Sequence, residues 1–191
     1  MKLENCRCIE TMNIKSKISE AFCNIKRPSN NELTNGSCSC SDCSLNISDL
    51  QNKKWDTIEF QDLLKIDDES FFTIIGKLSP KAFHYFFPEI ITFILDDPEA
   101  ADVLSSGILD YFTNDGISSS TSEVENTIRC FDQKQKEVLV DFINYLRKYE
   151  GLCPHIIDSA ISNIKTGTVR QYSQKKVMKW AGKMMERHKN T

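Results

Sequence analysis

The sequence predicts an all-α protein, a compact irregular multi-helix bundle of short helices closed by a basic C-terminal helix. Three observations predict it. Apolar residues recur at helical spacing along most of the chain. A capping residue followed by proline, a device that starts helices, stands at Ser79-Pro80 and again at Asp97-Pro98. No stretch alternates apolar and polar residues convincingly enough for a strand, and only Val124 to Phe131 fits either state.

Taken in order, Ile14, Ile18, Phe22 and Ile25 follow the cap Asn13 and predict a helix over 13–25, ended before Pro28. Residues 1–12 are expected to be flexible. Arg27 to Ser44, rich in Asn, Ser and Cys, reads as a loop. Short helical segments follow near 45–53 and 58–66, with Trp55 between them as the anchor to the core. Asp67 or Asp68 can cap a helix through Phe71 to Ile75. Pro88 lacks an N–H and crowds the preceding turn, so the run from Pro80 to Leu95 is expected to break into 80–86 and 88–95. A further helix spans 98–112, and 113–122 is a polar loop. Asp132 and Gln135 have capping-box spacing and open a helix over 133–149, ended by Gly151. Two more helices lie at 154–164 and within 169–187.

With 191 residues, 40% hydrophobic and 27% charged, the chain is sized for a single domain, with 152–191 a helical extension packed on the core. The most apolar stretch, Phe83 to Leu95, is interrupted by His84, Pro88 and Glu89, which excludes a membrane span. The first residues lack a secretory apolar core, so a cytoplasmic location is expected. Charge is uneven: residues 1–164 carry −10 and residues 165–191 carry +7. A basic helix folded back on its own acidic body accounts for that, and so does a tail for an anionic partner.

Six of the eight cysteines fall in the first 43 residues, as Cys6, Cys8, Cys23, Cys38, Cys40 and Cys43. Thiols stay reduced in a cytosol, leaving metal ligation or ordinary packing. The Cys40-Ser-Asp-Cys43 turn can aim two thiolates at one zinc ion, with Cys38 as third ligand and the fourth unassigned. Structural zinc is therefore the one cofactor expectation. The carboxylates Asp96, Asp97, Glu99 and Asp102 are explained by a helix start, where acids are favoured. His84, His155 and His188 have no catalytic companions, and the seven scattered glycines exclude a phosphate-cradling loop. No catalytic residue is expected. In the last helix Lys176, Lys179, Lys183 and Arg187 share a flank beside an apolar stripe of Val177, Trp180, Ala181 and Met184, a surface for nucleic acid or, more simply, a docked tail.

The run from Ser79 to Val103, centred on Phe-Pro-Glu and Asp-Pro-Glu-Ala-Ala-Asp-Val, resembles the signature of a family of small bacterial helical proteins of unknown function. The lead-in from Ile18 to Pro28, the Cys40-x-x-Cys43 pair followed by Trp55, and Phe131-Asp-Gln-Lys-Gln-Lys are similar to it too, over residues 14–150. The resemblance implies a bacterial cytosolic protein and transfers no site residue. The functional expectation is a non-enzymatic protein that binds another protein, such as a basic toxin neutralised by the acidic body. The alternative is a small zinc-binding regulatory or nucleic-acid-associated protein.

Overall fold

The computed structural model describes residues 2–34, 50, 52–58, 78–98, 102–114, 120–149, 152–170 and 173–189. Among them there is no strand, only an isolated bridge between Thr34 and Leu78. Seven α-helices are described: α1 (Lys2–Phe22), α2 (Pro80–Asp96), α3 (Asp102–Thr113), α4 (Thr121–Cys130), α5 (Gln133–Tyr149), α6 (Pro154–Thr166) and α7 (Gln174–Lys189). The expected segments near 45–53, 58–66 and 71–75 lie largely outside the described residues. Leu50 and Ile58, at their margins, are buried in the core, and Trp55 packs on it half-buried.

Helices α1, α5, α6, α3 and α2 pack in a closed circuit, each on the next, and α4 lies against α2. The centre is α2, whose Phe83, Phe86, Phe87, Ile90, Ile91 and Ile94 are fully or almost fully buried. Its start is set by Ser79, whose Oγ accepts the Ala82 N–H, with Pro80 behind it. Contrary to the expected break, α2 runs unbroken through Pro88. An interior proline costs about 3 kcal/mol. Burial offsets that cost, since each large apolar side chain taken from water contributes about 1.5–3 kcal/mol and α2 buries them on both sides of Pro88.

Aromatic rings tie the circuit together. Phe83 stacks on Tyr111 of α3 with centroids 4.6 Å apart, and Phe87 meets Phe112 and Phe131 edge-on. Tyr111 donates its hydroxyl proton to Thr127 Oγ1 at 2.6 Å, because Thr127 already donates to the Glu123 carbonyl. That bond carries α3 onto α4. The ambiguous segment 124–131 is mostly helix, as a Ser120–Glu123 capping box starts α4 and its buried residues Val124, Thr127 and Ile128 keep helical spacing. Helix α5 has the bounds expected, and its capping pair is present: the Gln135 N–H donates to Asp132 Oδ1 and the Asp132 N–H to Gln135 Oε1.

Helix α1 begins at Lys2 instead of Asn13, so residues 2–12, expected to be flexible, form its first part. Polar ties that apolar periodicity cannot register hold this half. Arg7 Nε donates to Tyr145 Oη at 2.9 Å, its guanidinium lies over the Tyr145 and Tyr149 rings, and Lys148 bonds Glu10.

Candidate functional site

The residues singled out on the last helix fall on the most weakly docked element described. Helix α7 makes a small contact with α6; its Val177, Trp180 and Ala181 are half-buried, and none of its described side chains is buried. Lys175, Lys176, Lys179 and Lys183 are exposed and make no ion pair among the described residues. Met178 stands among them, 73% exposed. Arg187 belongs to the same helix, but its side chain lies outside the described residues. Among the described residues these lysines meet no carboxylate. The only carboxylate of α6, Asp158, is bonded to Arg147 of α5.

The segment that follows α6, up to Arg170, is held tightly. Asn163, buried in α6, donates to the Phe112 and Arg170 carbonyls and accepts the Arg170 N–H at 3.0 Å. Glu125 accepts the Val169 N–H at 3.1 Å. Gly167 caps α6 in the left-handed region at φ +70°, which favours glycine.

Seven ion pairs join charges within the described body. Lys15 bonds Asp96, Lys17 bonds Asp141 at 2.6 Å, Lys81 bonds Glu32 at 2.7 Å, and Lys134 bonds Glu20. Lys81 and the Ser29 hydroxyl hold the Glu32 carboxyl well below its usual range, down to about 2. Of the acids read as a helix start, Asp96 thus has a partner on α1, and Glu99 lies outside the described residues.

His84 is a packing residue. Gln135 Oε1 already accepts from the Asp132 backbone and its Nε2 donates to the Ala21 carbonyl, so His84 Nε2 is the donor in the 2.8 Å bond to Gln135. The imidazole also meets Phe131 edge-on at 4.7 Å. Burial depresses its pKa, partly countered by Gln135 and Asp132. The ring thus joins α1, α2 and α5 as a packed, hydrogen-bonded side chain.

One arrangement escaped the sequence reading. Residues 10–17 and 141–148 share the pattern acid-x-x-Asn-apolar-x-x-Lys, as Glu10, Asn13, Ile14, Lys17 and Asp141, Asn144, Tyr145, Lys148. Helices α1 and α5 run antiparallel, so each acid meets the other helix's lysine: Glu10 with Lys148 and Lys17 with Asp141. All eight residues line one cavity of about 280 Å³. A comparison of the two helices for shared spacing would have found it.

The expectation of structural zinc is corrected. Among the described residues no group of three or more His, Cys, Asp and Glu could hold a metal ion. Cys38, Cys40 and Cys43 lie outside the described residues. Of the other early cysteines, Cys8 lies within α1 and Cys23 just beyond its end, both exposed and about 20 Å apart along the chain. The Cys23 thiol donates to the Glu20 carbonyl and that of Cys130 to the Asn126 carbonyl, and burial raises the Cys130 pKa. Cys153 is buried at the start of α6.

The described fold and sites define an all-α bundle. No helix among the described residues is long and apolar enough to cross a membrane. No family model, curated protein or solved structure matches the chain. The likeness to the small bacterial family therefore rests on its quoted residues alone.

Proposed function

We propose that this is a non-enzymatic protein that acts by binding another protein, with α7 as the contact surface and an acidic patch on the partner. One observation carries the reading: Lys175, Lys176, Lys179 and Lys183 stand exposed on one helix without ion pairs among the described residues, while seven ion pairs match charges within the described body. Lys175 with Lys179, and Lys179 with Lys183, repel at i, i+4 spacing, each pair costing about 0.2–0.5 kcal/mol. An acidic partner relieves that repulsion as it binds, and opposite charge speeds the encounter. The exposed Met178 adds apolar contact, which favours a protein over the phosphate backbone of nucleic acid. A cytoplasmic setting suits such a protein.

Neutralising a basic toxin with the acidic body has less to draw on, because its described carboxylates are largely engaged. The acids of 59–69 lie outside the described residues and leave that form of the reading to experiment.

A photo-crosslinking side chain at position 178, in the full-length protein expressed in its native host, tests the proposal. The expected outcome is a protein adduct of acidic surface charge that disappears in the triple variant Lys176→Glu, Lys179→Glu, Lys183→Glu and weakens as salt rises. Adducts to nucleic acid alone, or an adduct indifferent to the triple variant, overturn it.

A further inference from the structure

The cavity between α1 and α5 is built from four matching residues of each helix. Its two ends are each closed by an ion pair, Glu10 with Lys148 and Lys17 with Asp141, and its floor carries the apolar parts of Ile14 and Tyr145, both buried. Between the ends lie Asn13 and Asn144, one from each helix, both exposed and without a hydrogen bond among the described residues. Two carboxylates and two ammonium groups balance, so the cavity has no pull for a phosphate or a metal cation. A carboxamide, however, offers N–H donors and a carbonyl acceptor side by side, the complement of a peptide group.

The geometry points to a binding site for a short extended peptide segment, gripped along its main chain by Asn13 and Asn144. Length agrees with this occupant. From Glu10 to Lys17 the helix rises about 10 Å, and an extended chain advances about 3.4 Å per residue, so the span between the end pairs takes about three residues. The end pairs are half-exposed and so weakly held. They can open to a charged side chain of either sign at each end of the segment. This site is separate from α7 and does not depend on the role given to that helix.

The probe is the capped tripeptide acetyl-Lys-Ala-Glu-amide, titrated into the full-length protein labelled with ¹⁵N. The side-chain amide signals of Asn13 and Asn144 are expected to move together and saturate. Methylating the peptide nitrogens of the probe removes its donors and should weaken binding about fivefold or more, as should Asn13→Ala or Asn144→Ala, each worth one lost hydrogen bond. Both asparagines are exposed, and an otherwise unchanged amide spectrum verifies the fold of each variant. Signals that stay still up to about 20 mM probe, beyond the range where millimolar sites fill, overturn the site. Equal binding of the methylated probe overturns the main-chain grip. The triple lysine variant of α7 should bind the probe as the parent does, so a failure of one reading leaves the other standing.

Discussion

The two helices at the ends of the described chain, α1 and α7, show opposite uses of charge. Helix α1 buries Ile14, Ile18 and Phe22, and its Glu10, Lys15, Lys17 and Glu20 each pair with a residue of α2 or α5. Helix α7 buries no described side chain and its lysines pair with nothing described. Both helices mix charge with apolar residues in sequence. What separates them is whether complementary charge is met among the described residues: α1 meets it on α2 and α5, and the described lysines of α7 do not.

The comparison can be broken most forcefully at the apolar contacts. Phe22 is wholly buried against His84 and Phe131, so Phe22→Ala should cost about 3–5 kcal/mol, seen in urea unfolding. Trp180→Ala should cost far less, since that ring is half-buried on a helix that barely docks. A comparable loss from both would erase the distinction. Next in size comes Gln135→Leu, which strands the His84 donor and the Ala21 carbonyl at the junction of α1, α2 and α5, with an expected cost of about 2 kcal/mol.

Acid sharpens the same junction. His84 has a folded pKa below its ordinary value of about 6.5, so between the two the unfolded chain takes up a proton that the folded chain refuses. Stability should therefore fall as pH drops from about 6.5 toward the folded value. Glu32, lowered, contributes only above its ordinary range and loses its share as pH falls from about 4.5 toward about 2. The variant His84→Gln keeps a donor for Gln135 and should flatten the first window while leaving the second. The smallest expected effect is Lys17→Ala, at most about 1 kcal/mol for an exposed pair.

Helix α5 was fully legible because its cap, its apolar face and its glycine stop all act locally. Pro88 misled because the local rule is right about cost but silent on the burial that outweighs it. The first half of α1 was hidden for a related reason: Arg7 and Glu10 find their partners on α5, over a hundred residues away, and a sequence window does not see them. Of the candidate site, the basic flank and apolar stripe of α7 could be read from spacing, whereas the lack of partners for its lysines among the described residues could not. That property belongs to the surface of α6, where the only acid is already taken.

The grip of Asn163 on Arg170 gives the chain that leaves α6 a mechanical character. With both backbone groups of Arg170 held by one buried carboxamide, and the Phe112 carbonyl held by the same side chain, a pull on Arg170 is not absorbed by slack chain. It is passed to α6 and the end of α3, in the heart of the aromatic core. One buried side chain thus ties three stretches of backbone to the body at a single point.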